Sequence, residues 1–287
     1  MDQPLRATGV MTPAQVARRG ADYLARHDVA SPQVAAELLL ASVLGADRTV
    51  LAVRTEGLST AEARSYGRAL CRRCTGTPIQ HITGETGFRR LMLGVRPGVF
   101  IPRPETEVVV ETVLDHLRDV DDPLVVDVGT GAGAIALSIV DERPDAAVFA
   151  IDRSAEAVSL ARANAAHLGL AIEVVLGAFL APLPADIRGR VDAVVSNPPY
   201  VDPEAFELLP DDVRADPAGA LLGGVDGYAE LTRQAMTVLR PSGVLVVEIA
   251  ETDGRAISDL LREAGFHGVR LIRDLSDRDR VVLGQKA

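Results

Sequence analysis

Tryptophan is absent from the 287 residues, and six phenylalanines and four tyrosines make up the whole 3% aromatic fraction. The core must therefore be built from aliphatic side chains, chiefly Ala, Val and Leu. Basic residues are also short: 30 Lys and Arg face 40 Asp and Glu, leaving a formal charge of −10. That balance repels polyphosphate at long range and argues against a general nucleic-acid binder. No uncharged apolar run reaches the roughly 20 residues of a membrane helix. The opening MDQPLRATGVMTPAQ lacks the basic start and apolar core of a signal peptide, so a cytoplasmic protein is expected. Cysteine occurs twice, as Cys71 and Cys74 in CRRC, with no second pair to complete a four-ligand zinc site and no preceding βαβ unit. Two reduced helical thiols are the expectation. His27, His81, His116, His167 and His267 are scattered without ligand spacing, so no metal is expected either.

What is present divides the chain. Residues 1–75 read as a small helical domain. Thr12-Pro13 and Ser31-Pro32 each put a hydroxyl cap before a proline suited to a first helical turn, Gly45 closes a second helix, and Ser59 with Glu62 forms a capping box for a third. Residues 76–104, rich in Gly and Pro around short alternating runs, read as a β-hairpin and linker. From 105 to 287 apolar runs at 124–128, 148–151, 172–176, 191–195 and 244–249 alternate with helical patterns, which predicts a doubly wound, Rossmann-like α/β sheet. The last two runs, GVRLIRDL and DRVVLGQ, are joined by a turn too short for a parallel crossover and should form an antiparallel edge hairpin.

The first strand-to-helix turn of that sheet is VVDVGTGAGAIALSI, with Gly129, Gly131 and Gly133 where a backbone must turn tightly and approach a ligand. The helix that follows offers N–H groups to an anionic or polar partner, so a nucleotide-like ligand is expected. Asp152, about 20 residues on at the end of the second strand, suits a ribose. These features serve a nicotinamide enzyme, a non-catalytic nucleotide-binding module or a user of S-adenosylmethionine equally well. Asp127 favours the last, because a carboxylate there suits the methionine ammonium and would repel a pyrophosphate.

After the fourth run comes Ser196-Asn197-Pro198-Pro199-Tyr200, on the same carboxyl edge of the sheet. The two prolines bias the residues before them to extended backbone and remove two N–H donors. The Asn197 side-chain oxygen and the Pro198 carbonyl are then free to accept both hydrogens of a planar amino group, with the Tyr200 ring against its flat face. A primary amide or an exocyclic aminopurine fits. Its nitrogen is a poor nucleophile, and fixed acceptors that draw on both N–H bonds direct its lone pair at a sulfonium methyl.

PIQHITGETGF, VFIPRPETE, DVGTGAGAIALSI, SNPPYV, DPAGALLGGVDG and RDLSDRDRVVLG stand in this order along nearly the whole chain. In that arrangement the sequence resembles the peptide chain release factor glutamine methyltransferase (HemK/PrmC) family. The resemblance implies a class I S-adenosylmethionine-dependent methyltransferase domain behind a helical substrate-engaging domain. It also implies N5-methylation of the glutamine in the Gly-Gly-Gln motif of release factors during translation termination. By matching positions, Asp127, Gly129, Thr130, Gly131, Ala132, Gly133 and Asp152 would hold the cofactor, with Asn197 beside it and Phe179 flanking its adenine. Asn197, Pro198, Pro199 and Tyr200 would hold the glutamine, and Phe88, Phe100 and Arg103 would wall its pocket, with Arg103, between two prolines, equally suited to holding the linker. At Ala178 the family more often carries an acidic residue able to meet the adenine amino group. A ribosomal-protein glutamine methyltransferase shares the tetrapeptide, and so do DNA adenine N6-methyltransferases, which the acidic balance disfavours. A monomer without membrane or direct nucleic-acid contact is expected. Glu248 is left open between lining the pocket and capping the sheet edge.

Overall fold

The computed structural model describes residues 11–209 and 211–287. The reading of residues 1–10 as other than a signal peptide lies outside that range. Two compact units divide the chain, Met1–Gly84 and Glu85–Ala287.

The first unit is helical: α1 (Pro13–Ala25), α2 (Pro32–Leu44), α3 (Arg48–Val53), α4 (Thr60–Cys74) and α5 (Ile79–Thr83). Capping boxes start α1 at Thr12 with Gln15 and α4 at Ser59 with Glu62, and Gly45 ends α2 in the left-handed region. Ser31 departs from expectation. Its backbone is left-handed (φ 49°) and its side chain makes no cap, so Pro32 alone presets the first turn of α2. Ala17, Leu39, Leu40, Leu51, Tyr66 and Ala69 form the core of this unit. Tyr66 passes so close to Gly20 that a Cβ there would sit 2.0 Å from its hydroxyl, which donates to the Ala36 carbonyl at 3.1 Å. Cys71 and Cys74 are free thiols, with the Tyr23 hydroxyl 3.3 Å from the Cys74 sulfur.

The second unit opens with an antiparallel hairpin, β1 (Glu85–Phe88) and β2 (Leu91–Gly94). After α6 (Glu107–His116) strands and helices alternate: β3 (Leu124–Val128), α7 (Ala134–Glu142), β4 (Ala147–Asp152), α8 (Ala155–Leu168), β5 (Glu173–Leu176) and β6 (Val191–Ser196). Two one-turn helices, α9 (Asp211–Arg214) and α10 (Ala218–Leu221), precede α11 (Val225–Val238), β7 (Leu239–Glu248), α12 (Gly254–Glu263), β8 (Phe266–Arg273) and β9 (Asp279–Lys286). The sheet order is β5-β4-β3-β6-β7-β9-β8, parallel through β7 and antiparallel from β7 to β9 and β8.

The period of two along each strand assigns the layers. Val125, Ala193, Val195, Val244 and Val246 face one core with α6, α7 and α8 residues such as Val109, Ile135 and Val158. Val126, Val128, Val194, Leu245 and Val247 face the other, with Tyr228 and Leu231 of α11 and Ile257 and Leu261 of α12. Helices on both sides explain why β3 and β6 are nearly continuous apolar runs. Burying each of Ile257 and Leu261 is worth about 1.5–3 kcal/mol, enough to hold α12 to the sheet although its other face is charged. β7 begins five residues before the run that predicted it, because Arg240-Pro241-Ser242-Gly243 forms an irregularity. Ser242 takes φ 65°, and the register with β6 shifts between Val191 and Ala193.

Candidate active site

The parallel strands β3, β4, β6 and β7 end on one edge, which gathers the glycine loop, Asp152, the Asn-Pro-Pro-Tyr segment and Glu248. The chain winds from β3 outward to β5 and then returns to β6 on the other side of β3. The crevice therefore lies between β3 and β6, where open α/β sheets bind ligands. Val128 pairs with Ser196 there, and the Ser196 hydroxyl donates to the Val128 carbonyl at 2.7 Å. A Cβ on Gly129 would lie 3.9 Å from the Asn197 carbonyl oxygen, so the two motifs are adjacent.

Gly129, Gly131 and Gly133 have φ of 77°, 56° and 87°, a backbone that other residues adopt only with strain. The N–H groups of the turn itself are largely spent within the protein. Gly129 and Thr130 both donate to the Ile151 carbonyl, at 2.8 and 3.0 Å, and Gly133 donates to the Thr130 carbonyl at 2.8 Å. Gly131 donates to Asp152 Oδ2 at 2.9 Å. The loop spends these donors on its own shape, and two carboxylates flank it, so it is no cradle for a pyrophosphate. Thr130 and Ala132 are buried, and the Thr130 hydroxyl is spent on Asp127 Oδ2 at 2.7 Å.

Asp127 has no exposed surface. Its Oδ2 also accepts the N–H of Ala136 in the first turn of α7, at 3.2 Å, while Oδ1 has no partner. Burial pushes this carboxyl up to about 7, against the two hydrogen bonds that favour its charge, and the charge of Asp152 pushes the same way as burial. A buried carboxylate oxygen left without a donor fits a site for a cationic group. Asp152 uses Oδ1 on the Ser154 N–H at 2.8 Å and Oδ2 on Gly131, each oxygen keeping a lone pair for a hydroxyl.

Asn197, Pro198, Pro199 and Tyr200 are all half-buried. The Asn197 Nδ2 donates to Thr106 Oγ1 at 3.0 Å, which leaves Oδ1 as the free acceptor. Thr106 ends the Pro104–Thr106 turn ahead of α6 and is buried. The Tyr200 hydroxyl donates to Glu248 Oε1 at 3.3 Å, and the Tyr228 hydroxyl donates to the Glu248 carbonyl at 2.8 Å. Burial raises the Tyr200 phenol above its ordinary range, and the charge of Glu248 adds to it, so Tyr200 stays a neutral donor.

Past the tetrapeptide, Val201 donates to the Leu221 carbonyl at 2.8 Å and Gly223 donates to the Val201 carbonyl at 3.1 Å. A Cβ on Gly223 would stand 1.9 Å from the Pro199 carbonyl oxygen, a backbone atom that cannot swing aside. Gly223→Ala is therefore expected to displace the tetrapeptide and cut kcat by roughly 100-fold, the cost of about 1 Å of misplacement. Steady-state kinetics checks this.

The other expected site residues separate. Phe179 is partly buried in a left-handed conformation (φ 51°), with Leu180 N–H donating to Gln234 Oε1 at 2.9 Å. Ala178 beside it is exposed. Phe88 is corrected: it is 1% exposed and packs in the core with Leu91 and Leu93, so it cannot wall a pocket. Arg103 stands 5.2 Å over the Phe100 ring and pairs with the buried Asp216, which also accepts the Ile101 N–H at 3.1 Å. The arginine thus fastens its own segment to residue 216. Thr106 was missed by sequence reasoning, although it sits inside the IPRPETE run; its hydroxyl is the signal, the one short polar group there that is buried. Glu248, at the end of β7, is buried and accepts the Tyr200 hydroxyl.

This fold and edge define a Rossmann-like methyltransferase. Residues 15–84 match the PrmC N-terminal domain family and residues 91–209 match the methyltransferase small domain family. A 16S rRNA N2 methyltransferase of T. thermophilus, solved with AdoMet and guanosine, shares the fold with a TM-score of 0.53 at 20% identity. That likeness covers 71% of this chain and 50% of the other. The release factor glutamine methyltransferase of Moorella thermoacetica is 42% identical over 284 residues, 96% of this chain and 99% of its own. That of Caulobacter vibrioides is 39% identical over 272 residues, 92% and 93% of the two chains. The chain belongs to the release factor glutamine methyltransferase family.

Proposed function

We propose that this protein transfers a methyl group from S-adenosylmethionine to the side-chain amide nitrogen of the glutamine in the Gly-Gly-Gln motif of peptide chain release factors. The observation that carries the reading is the Asn197 amide, tied through its nitrogen to Thr106 so that its oxygen is left for an amide hydrogen, beside a glycine loop flanked by Asp127 and Asp152. Family membership selects glutamine over adenine.

S-adenosylmethionine supplies an electrophilic methyl on a sulfonium when bound. Asp127 Oδ1 would take its ammonium, the free lone pairs of Asp152 its ribose hydroxyls, and Phe179 would lie against its adenine. Asn197 Oδ1 and the Pro198 carbonyl accept the two amide hydrogens and Tyr200 packs the amide plane, with Pro198 and Pro199 stiffening the chain between them. Those contacts turn the nitrogen lone pair outward without prior deprotonation, so the rate gain comes from orientation and fixed dipoles. The proton becomes acidic as the new N–C bond forms and leaves to an acceptor or water.

A release factor substrate puts the reaction in the cytoplasm at translation termination, on a protein partner with no direct role for nucleic acid. Among the described residues no helix is long and apolar enough to cross a membrane. The test is incubation with methyl-labelled S-adenosylmethionine and a release factor, followed by peptide mapping. Label is expected on the Gly-Gly-Gln glutamine and lost when that glutamine is replaced. Label confined to a ribosomal protein would overturn the choice of substrate.

A further inference from the structure

We propose that Asp216 is a positioning residue: it closes a frame that holds the Asn-Pro-Pro-Tyr segment at both ends and so fixes how the Asn197 amide meets the substrate. This rests on the methyl transfer proposed above. At the start of the segment Asn197 Nδ2 donates to Thr106 Oγ1 at 3.0 Å. At its end Val201 donates to the Leu221 carbonyl at 2.8 Å, Gly223 donates to the Val201 carbonyl at 3.1 Å, and Gly223 lies against Pro199. Asp216 joins these two holders to each other. Its Oδ1 accepts the Ile101 N–H at 3.1 Å and its Oδ2 pairs with Arg103.

Each side of the frame is stiff, so its joints decide its shape. From Ile101 to Thr106 the chain carries Pro102 and Pro104 and closes a tight turn in which the Thr106 N–H donates to the Arg103 carbonyl at 3.1 Å. From Asp216 to Leu222 it runs through Pro217 and the single turn α10, where Ala220 donates to the Pro217 carbonyl at 2.8 Å and Leu222 to the Ala218 carbonyl at 2.7 Å. Pro198 and Pro199 stiffen the segment between the holders. A shift at Asp216 is therefore not absorbed along either side and reaches Thr106 and Gly223 together. Both sides also lean on the edge that carries the glycine loop. Val99 packs with Ala132 of that loop and Ala157 of α8, and Arg153, next to Asp152, donates to the Gly219 carbonyl at 2.8 Å. The frame thus sets where the amide acceptors stand relative to that edge.

The corner is made of groups suited to fixing one arrangement. The Asp216 side chain has no exposed surface, whereas that of Arg103 is 26% exposed. A buried ion pair adds little stability, because desolvation offsets the attraction, and an apolar side chain would hold a surface segment down at lower cost. What the pair does well is select one geometry, since lone pairs and N–H groups must meet along set directions. The Asp216 backbone is fixed in turn: its N–H donates to the Val213 carbonyl at 3.0 Å, and Pro217 after it favours extended backbone.

The experiment compares wild type, Asp216→Asn, Thr106→Val, their double variant, Arg103→Gln and Arg103→Lys. Asp216→Asn keeps an oxygen for the Ile101 N–H and loses the charge that holds Arg103. Its kcat is expected to fall roughly 10- to 100-fold, with cofactor Kd within about 3-fold of wild type. Arg103→Gln should lose rate in the same way, and Arg103→Lys, which keeps the cation, should recover most of that loss. Because Asp216 and Thr106 act through one frame, the double variant should lose no more than about 2-fold beyond the worse single variant. In cofactor-free protein, hydrogen exchange at the Val201 and Gly223 amides should quicken at least about 10-fold in Asp216→Asn while the amides of β6 keep their rates. Losses of kcat that multiply in the double variant, or exchange at Val201 and Gly223 equal to that of wild type, would overturn the proposal. Exchange quickened equally throughout β6 would overturn it too, since that marks general destabilisation. If Asp216→Asn does not fold, Arg103→Gln, altered at the partly exposed partner, carries the same exchange prediction. If exchange behaves as stated but wild type methylates no release factor, the frame stands and the substrate reading falls.

Discussion

Asn197→Ala is expected to lower kcat by roughly 100- to 1000-fold, the usual cost of deleting one preorganised group from a transition-state site. Cofactor Kd should move by less than about 3-fold, because Gly129 of the glycine loop faces the Asn197 backbone carbonyl, which alanine keeps. The loss falls on kcat because Oδ1 matters most as the nitrogen becomes tetrahedral and its hydrogens become acidic. Stability should change modestly: the residue is half-buried, and the variant leaves one acceptor, Thr106 Oγ1, without its Asn197 donor. Single-turnover rates with saturating cofactor, paired with calorimetry of cofactor binding, separate the two effects. Equal loss of rate and affinity would reassign Asn197 to a structural part.

The second large effect is expected at Asp127. The Asp127→Asn variant would keep an oxygen for Thr130 and Ala136 but set an NH2 where Oδ1 now stands unpartnered. A donor there opposes an ammonium, so cofactor affinity should fall by at least roughly 100-fold, the scale of breaking a buried pair from one side. Stability should move the other way. Burial raises this carboxyl to about 7, so the folded chain holds the proton more tightly than the unfolded chain. The carboxyl's contribution to stability is therefore best below its unfolded pKa of about 4 and declines as pH rises to about 7. Above that it remains a constant penalty. The ligand-free variant should melt a few degrees higher than wild type at pH 8, since about 1 kcal/mol moves Tm by roughly 2–4 °C in a chain of this size. At pH 5 the difference should shrink. In wild type, cofactor binding should weaken as pH falls below 7 and should release a proton, which calorimetry in buffers of different ionisation enthalpy measures. A variant that binds cofactor normally would remove Asp127 from the site.

How much of this was legible in the sequence depends on the range of the interaction. Strand and helix order followed from apolar period, because each face of β3 and β6 has to be covered. The edge that carries the site followed from topology, since parallel strands share their carboxyl ends. The pairing of Asn197 with Thr106 could not be read, as 91 positions separate them and periodicity assigns residues to faces, never to partners. The tie from Ile101 and Arg103 to Asp216 was hidden for the same reason. The glycine loop was legible as a tight turn, but only the position of β4 beside it shows its own N–H groups taken up by Ile151 and Asp152. Ser31 had the letters of a cap but not its backbone angle.

The parallel bridge of Val201 to Leu222 closes the chain beyond the tetrapeptide into a ring whose neck is pinned at Gly223. In polymer terms the site sits outside that ring, so slack added inside it is taken up there. Doubling the length of such a closed segment costs only about 0.6 kcal/mol of closure entropy. Leu208, 86% exposed on its outer run, is thus a place where residues could be inserted, or a reporter grafted, without transmitting tension to Asn197.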